Sequence, residues 1–186
     1  MAISDNNVVT YGLKGKIGDL LVFRRQNGKT VVSKIPAKSS VPPSVLQIAV
    51  KERFKLASKF AQQAMLDVSL TAIYKTLSKK GQSAFNVAFA DFYLPPTVTN
   101  PIGIYNDVVG TTLSVKAIDN YEVTEVSLII TEADGTLIEQ GLATLQIDGV
   151  NWAYTCSSTF ANPTGCILLW TAKDLAGNLS MLEITV

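Results

Sequence analysis

The stretch from Tyr11 to Pro36, YGLKGKIGDLLVFRRQNGKTVVSKIP, decides how the rest of the chain is interpreted. Two runs within it, Asp19–Arg25 (DLLVFRR) and Lys29–Lys34 (KTVVSK), have the apolar and β-branched composition of strands. Asn27-Gly28 separates them, and Asn-Gly is a strong hairpin signal because both central residues of a type I′ turn need a positive φ. The stretch therefore predicts a β-hairpin near the N-terminus.

The predicted hairpin is basic, and Asp19 is the only acidic residue between Tyr11 and Pro36. A two-stranded ribbon with cations on one face can bind in a DNA groove, and a basic surface also fits an acidic protein surface. Tyr11 and Phe23 are too few aromatic residues for a platform that stacks on single strands. We predict that a partner binds the cations of this region, which are Lys14, Lys16, Arg24, Arg25, Lys29 and Lys34, with Lys38 just beyond them.

Three glycines, Gly12, Gly15 and Gly18, precede the first strand at a spacing of three. A phosphate-binding loop would need a strand before the glycines, a helix after them and a Lys-Ser/Thr pair. A hairpin follows here instead, so turn formation is the better interpretation of these glycines.

Helical periodicity begins after the linker Ser39–Pro43 (SSVPP). Ser44 is a suitable N-cap for a helix from Val45 to about Met65, and a second helix is predicted over Ser69–Lys79, before Lys80-Gly81. A third is predicted over Ser83–Tyr93, and Leu94-Pro95-Pro96 ends it. The first half thus reads as an α+β domain made of a hairpin and about three helices.

From Thr97 onward the apolar period changes to two, as in half-buried strands. The clearest examples are Leu113-Val115-Ala117, Val126-Leu128-Ile130 and Trp152-Tyr154-Cys156. About seven short strands separated by turn signals are typical of an all-β sandwich. The turn signals are Asp119-Asn120, Asp134-Gly135, Asp148-Gly149, Asn162-Pro163 and Gly177-Asn178.

The net charge of +1 conceals two halves of opposite sign. Residues 1–93 contain 14 Lys/Arg and 5 Asp/Glu, a balance of +9, and residues 94–186 contain 2 and 10, a balance of −8. Such asymmetry predicts two domains, 1–94 and 95–186. It would also permit head-to-tail contact between copies of the chain, which is a heterologous interface.

The composition argues against catalysis, because a Ser or Cys nucleophile needs an imidazole base and the chain contains no His. We predict no catalytic residue, no cofactor and no metal site. Oxygen ligands for Ca²⁺ are present at one end of the predicted sandwich, but Asp and Asn also populate turns by bonding their own backbone. These turn residues are Asp107, Asp119, Asn120, Asp134, Asp174 and Asn178.

The two cysteines, Cys156 and Cys166, have the same midpoint in the sequence as two other pairs. These pairs are Trp152 with Trp170 and Tyr154 with Leu168. If the strands run antiparallel in this register, the thiols come close together, either side by side or across the sandwich. A disulfide would then be geometrically feasible, whereas a cytoplasmic start favours reduced, buried thiols. We expect the latter.

The segments described so far resemble two families. GLKGKIG, the hairpin, the helix SVLQIAVKERFKLASKFAQQA and the segment KKGQSAFNVAFADFY resemble an uncharacterised family of Bacteroidota proteins, often associated with phages or mobile elements. The matching residues are Gly12, Gly15, Lys16, Gly18, Gln47, Arg53, Phe54, Phe85 and Asn86. Residues 115–120 (VKAIDN) and 171–178 (TAKDLAGN) are similar to turns of bacterial immunoglobulin-like modules, which implies that fold for the second half.

From the charges and these resemblances we expect a non-enzymatic structural protein of a virion, such as a capsid decoration or a tail-associated component. The basic domain would dock on other proteins or on further copies, and the immunoglobulin-like domain would be displayed or pack on neighbours. The alternatives are a nucleic-acid-binding protein that uses the basic hairpin, and a surface adhesin. The N-terminus MAISDNNVV has neither the basic nor the apolar region of a Sec signal, so we expect synthesis in the cytoplasm. No apolar run is long enough for a membrane span.

Overall fold

The computed structural model describes residues 2–4, 7–26, 28–37, 40–106, 108–158 and 163–186. Contacts between Cα atoms divide the chain into two compact units, Met1–Ala49 and Val50–Val186. This division differs from the predicted boundary after residue 94. The larger unit contains two separate hydrophobic clusters, one among the helices and one between the sheets, so the boundary after residue 94 stays a prediction.

The smaller unit contains a four-stranded antiparallel sheet in the order β1-β4-β3-β2. Its strands are β1 (Ala2–Ser4), β2 (Gly15–Ile17), β3 (Leu21–Gln26) and β4 (Lys29–Lys34). The predicted hairpin is β3–β4, in which Gln26 pairs with Lys29 and two residues remain for the turn. Of these, Gly28 has a φ of +80°, and Asn27 lies outside the described residues. Gly12, Gly15 and Gly18 all have positive φ, as turn-forming glycines require.

Three helices follow, as predicted: α1 (Val45–Ala64), α2 (Val68–Leu77) and α3 (Ala84–Tyr93). Ser44 and Gln47 form a capping box at the start of α1, in which each side chain accepts a hydrogen bond from the other's backbone N–H. The Asp67 carboxylate caps α2, and the Ser83 hydroxyl caps α3. Small residues of α1 pack with α2 and α3 in a cluster made of Ala61, Ala64, Tyr74, Ala84, Val87 and Ala88.

Residues 97–185 form two four-stranded antiparallel sheets. The first has the order β5-β6-β10-β9, and its strands are β5 (Thr97–Ile102), β6 (Thr112–Ile118), β9 (Thr144–Leu145) and β10 (Asn151–Thr155). The second has the order β12-β11-β7-β8, with β7 (Val123–Thr131), β8 (Leu137–Leu142), β11 (Ile167–Asp174) and β12 (Leu179–Thr185).

Alternate residues of both sheets meet in one core, which makes this region a β-sandwich. The first sheet supplies Leu113, Val115 and Trp152, and the second supplies Leu128 and Trp170. The predicted period-two runs therefore do face inward.

Cys156 and Cys166 are both buried, and no disulfide joins them. Cys156 follows β10 and Cys166 precedes β11, and these strands belong to different sheets. Side-by-side pairing of the two strands, one of the two arrangements considered from the sequence, is therefore wrong. Burial of the thiols is confirmed.

Candidate interaction surface

The register of the N-terminal sheet decides where its cations lie. Residues paired directly across antiparallel strands point to the same side of the sheet, and successive residues point to opposite sides. The pairs Lys16–Val22, Arg24–Val31 and Gln26–Lys29 therefore share one side. Arg25 pairs with Thr30 and Lys34 pairs with Leu21, on the other side. The cations of this region are therefore divided between the two sides of the sheet.

The two sides of this sheet differ in how they are covered. The loop that contains Thr10 and Tyr11 lies over the side of Arg25, where the Thr30 hydroxyl donates to the Thr10 carbonyl at 3.2 Å. The guanidinium of Arg25 lies 5.8 Å from the centre of the Tyr11 ring. The opposite side exposes Lys16, Arg24 and Lys29, together with the apolar side chain of Ile3, whereas Val31 on the same side is buried. We call this side the cationic face. Lys14 lies in the loop before β2, outside the face.

The N-terminal unit buries very little of its own apolar surface. Of its described residues, only Phe23, Thr30 and Val31 are buried. The exposed large apolar residues are Ile3, Val8, Val9, Tyr11, Leu13, Ile17, Leu20, Leu21, Val41, Val45, Leu46 and Ile48. A unit of this size rarely supplies enough core to be stable alone, and exposed apolar clusters mark interaction sites.

Helix α1 carries an uncovered apolar stripe along its first turns. Leu46, Val50 and Phe54 recur every four residues and are all more than half exposed. Further along the helix, Ala57, Ala61 and Ala64 continue at helical spacing and are buried. The Phe54 ring touches Phe89 of α3 at 4.8 Å between centroids, which marks where the covered part begins.

The outward side of the sheet β12-β11-β7-β8 combines apolar and acidic residues. Register places Met181, Thr171, Ser127 and Leu142 in one row across the four strands. Met181 is 63% exposed and Leu142 is 64% exposed. The next outward row on one side of this row contains Glu183. The next outward row on the other side contains Glu125, Lys173 and Leu179. We call this side the acidic face, although it includes Lys173.

The helices and the sandwich meet at a buried acidic junction. Asp91 of α3 has no exposed surface, and its Oδ2 accepts a 2.7 Å hydrogen bond from the Tyr74 hydroxyl of α2. Oδ1 of Asp91 and Oδ1 of Asp119 are both buried without a donor. The two carboxyl groups are close enough for one to hydrogen-bond to the other when it carries a proton.

This environment strongly disfavours the charge on Asp91. Desolvation raises its pKa to about 7, the Tyr74 hydroxyl opposes this rise, and the nearby carboxylates of Asp174 and Asp119 add to it. Desolvation also raises the pKa of Asp119 and, with the neighbouring carboxylate of Asp91, that of Tyr74. A single proton held between Asp91 and Asp119 is therefore the arrangement that the junction favours.

Two asparagines of the sandwich turns hold the end of α3. The Asn178 amide donates to the backbone carbonyls of Asp91 and Phe92, both at 3.2 Å, and the Asn120 amide donates to that of Ala90 at 3.1 Å. The carbonyls of Asp91 and Phe92 belong to the last turn, which a helix C-terminus leaves without partners inside the helix, whereas the carbonyl of Ala90 also accepts from the backbone N–H of Leu94. Sequence reasoning noted both asparagines as turn residues and missed this role.

The turn residues considered as calcium ligands are not all gathered at one end of the sandwich. Asp119 and Asp174 lie near the start of β7, whereas Asp134 lies in the turn after its end, and Asp107 lies outside the described residues. Asp174 accepts hydrogen bonds from the backbone N–H and the side-chain amide of Asn178. Among the residues that the structure describes, no three Cys, Asp or Glu side chains are arranged to hold a metal ion.

Glu139, a further buried carboxylate, is engaged in hydrogen bonds inside the sandwich. It accepts from the Tyr154 hydroxyl at 2.7 Å and from the backbone N–H groups of Ser157 and Ser158. Desolvation works against ionisation of Glu139, but its hydrogen bonds, led by that of the Ser157 hydroxyl, lower its pKa overall. This arrangement anchors the chain after β10 and leaves no free base.

A cavity of about 280 Å³ opens between the two sheets beside β5 and β12. Its walls include Ile104, Leu113, Trp170 and Ile184, and no Lys, Arg, Asp or Glu lines it. The side-chain hydroxyls of this lining are those of Tyr105, Ser114 and Thr185, as far as the described residues go.

Comparisons with known proteins do not assign this chain to a family. No family model matches the sequence, and no curated protein matches it. Among solved structures, CopC from Methylosinus trichosporium OB3b is similar over 47% of this chain and 87% of its own, with 12% identity and a TM-score of 0.35. A likeness this low carries no argument about function.

No helix in the described part of the chain has both the length and the apolar character that crossing a membrane requires.

Proposed function

We propose that this chain is a non-enzymatic assembly protein that docks through its N-terminal unit and the uncovered stripe of α1. The observation that carries the proposal is the large exposed apolar surface of residues 1–49, which contrasts with only three buried residues among those described. Covering such a surface with a protein partner removes apolar area from water at about 25 cal/mol per Å². The same surface left open would favour nonspecific aggregation.

We also propose that the sandwich is an immunoglobulin-like module that the assembly displays. Its support is the strand order: one sheet runs β5-β6-β10-β9 and the other β12-β11-β7-β8. Lettered A to G in chain order, with β8 as C′, these are the sheets A-B-E-D and G-F-C-C′ of immunoglobulin domains. Modules of this architecture serve many unrelated purposes, so the fold alone names no ligand.

We propose a virion as the assembly, because the N-terminal half resembles phage-associated Bacteroidota proteins. Nucleic-acid binding is the second candidate, and the three exposed cations of the cationic face favour it. Against it stand the split of the cations between two faces and the exposed apolar residues, which phosphate contacts would leave uncovered.

The test is sedimentation of lysates from cells that make the protein from its own locus. We expect the chain in a fast-sedimenting protein particle that nuclease treatment leaves intact. Exchange of Leu46 and Val50 for Asp on the stripe should move the chain to the slow fractions, while Ile147→Asp, at an exposed turn of the sandwich, should not. Slow sedimentation of the unmodified chain would overturn the proposal. Nuclease-sensitive sedimentation would favour the nucleic-acid alternative.

A further inference from the structure

We infer that the cationic face of one copy binds the acidic face of a second copy, so that the chains associate head to tail. This inference rests on the proposed function and deepens it by naming the occupant of the docking surface. The head is the side of the N-terminal sheet that exposes Lys16, Arg24 and Lys29. The tail is the outward side of β12-β11-β7-β8 with Glu125, Glu183, Met181 and Leu142.

Charge complementarity is the first argument for a second copy. Residues 1–49 contain 7 Lys/Arg and 2 Asp/Glu, a balance of +5, and residues 94–186 have a balance of −8. Glu125 and Glu183 are exposed on the tail, and Glu132 and Asp134 follow β7 at the β7–β8 end of the same sheet. Head against head or tail against tail would bring like charges together, which costs several kcal/mol at an interface.

Apolar complementarity is the second argument. The head exposes Ile3 beside its cations, and the tail exposes Met181, Leu142 and Leu179 beside its acids. An open sheet side that shows large apolar residues is a surface expected to be covered. These apolar residues lie on edge strands, Ile3 on β1, Met181 and Leu179 on β12 and Leu142 on β8, so each face offers apolar side chains next to its charges.

The size of the two faces sets the strength of the contact. A four-stranded sheet at ~4.8 Å between strands and ~3.3 Å per residue presents a flat outline of roughly 19 Å by 20 Å. Side-chain relief enlarges this, but the contact stays below the ~800 Å² per partner of a standard interface. We therefore expect weak, reversible association that is sensitive to salt.

Because the head and the tail are different surfaces, the interface is heterologous. Such contacts propagate into rings or open chains instead of stopping at a dimer. A growing series of oligomers with protein concentration is therefore the expected behaviour of the purified chain.

The experiment is analytical ultracentrifugation of the purified full chain at ~50 mM and ~500 mM salt, over a hundredfold range of protein concentration. We expect oligomers larger than a dimer at low salt and at least tenfold weaker association at high salt. The head variant Lys16→Glu/Arg24→Glu and the tail variant Glu125→Lys/Glu183→Lys should each be monomeric. The fourfold variant that combines them restores opposite charges across the contact and should associate again.

Matched controls come from the same elements. Arg25→Glu/Lys34→Glu changes the same number of charges on the loop-covered side of the N-terminal sheet, and Glu122→Lys changes an exposed acid in the turn before β7. Both should associate like the unmodified chain. Thermal melting of every variant establishes that it is folded.

Several results would overturn the inference: a monomer at all concentrations, association that survives either face variant, or a fourfold variant that stays monomeric. A monomeric purified chain that still enters a fast-sedimenting particle in its native cells would refute self-association while leaving the proposed function intact. Slow sedimentation in those cells would refute the function itself.

Discussion

Replacing Asp91 by asparagine should remove most of the pH dependence of stability between about pH 5 and 8. In the folded chain, desolvation and the carboxylates of Asp174 and Asp119 outweigh the Tyr74 hydroxyl and raise the pKa of Asp91 from 3.8 to about 7. Asparagine keeps the shape of the protonated acid. Its amide oxygen can accept from the Tyr74 hydroxyl, and its NH₂ group can donate to Oδ1 of Asp119.

The sign follows from which state binds the proton. Between the ordinary pKa of 3.8 and the folded value of about 7, the folded chain holds a proton that the unfolded chain has released. The contribution of Asp91 to the free energy of unfolding is therefore greatest below its ordinary pKa of 3.8, falls as pH rises through this window and levels off above it. A shift of about three units corresponds to on the order of 4 kcal/mol in total, since one unit is worth about 1.4 kcal/mol.

The assay is urea unfolding followed by tryptophan fluorescence at several pH values, in high salt and at low protein concentration to suppress association. Because the penalty on the unmodified chain builds up from the ordinary pKa of 3.8, we expect the Asp91→Asn chain to be already more stable at pH 5, and its advantage to grow by about 2–4 kcal/mol between pH 5 and pH 8. Glu122→Gln, in the loop that carries Asp119 and Tyr121, is the control and should leave the slope in place. If the free energy of unfolding of the unmodified chain stayed constant or rose between pH 5 and pH 8, the shared proton would be refuted. The same conclusion would follow if the Asp91→Asn chain showed an equal dependence on pH.

Two further predictions concern the sandwich. A Cβ on Gly141 would lie 2.7 Å from Cε2 of Tyr154, whose hydroxyl is bonded to Glu139, so Gly141→Ala should lower the free energy of unfolding by about 1–3 kcal/mol in urea titrations; an unchanged midpoint would contradict this packing. Burial raises the pKa of Cys156 to about 11 and raises that of Cys166, so neither thiol should react with Ellman's reagent at pH 8 until the chain unfolds. Rapid labelling of the native chain, or a disulfide between the two cysteines in the mass spectrum, would contradict the buried, reduced thiols.

The local elements could be predicted from sequence because their signals are local. Ser44 with Gln47 and Ser83 before α3 cap the helices where the pattern places them, and each predicted helix end agrees with the structure to within two residues. The hairpin was equally accessible, since the turn signal and the two strand-like runs lie within sixteen residues of each other.

The division of the cations between two sides of the sheet could also be predicted from the sequence. Arg24 and Arg25 are consecutive in a strand, and a period of two puts consecutive residues on opposite sides. Only Lys16, Arg24 and Lys29 therefore share the open face. The number of cations in the stretch does not reveal this division, because a count does not tell to which side of the sheet each side chain points.

The acidic junction depended on contacts that sequence spacing does not reveal. Asn178 reaches carbonyls 86 and 87 positions earlier in the chain, so no local pattern joins the sandwich turn to α3. One signal was available in α3 itself. Asp91 follows Val87 by four residues and Ala88 by three, which puts a carboxyl group on the buried side of the helix. A charged residue in that position predicts a buried polar partner.

The junction also changes how much charge the sandwich offers to a partner. Of the ten acids in residues 94–186, Glu139 and Asp174 are buried and Asp119 is half-buried against α3, so the balance of −8 overstates the charge at the surface. The acids left on the acidic face and its rim are few, and Lys173 lies among them. Charge at this density orients an approaching partner and excludes wrong ones more than it adds affinity. The binding free energy of a head-to-tail contact must then come mainly from covering Met181, Leu142 and the apolar residues of the N-terminal sheet, which is the surface that the chain cannot bury by itself.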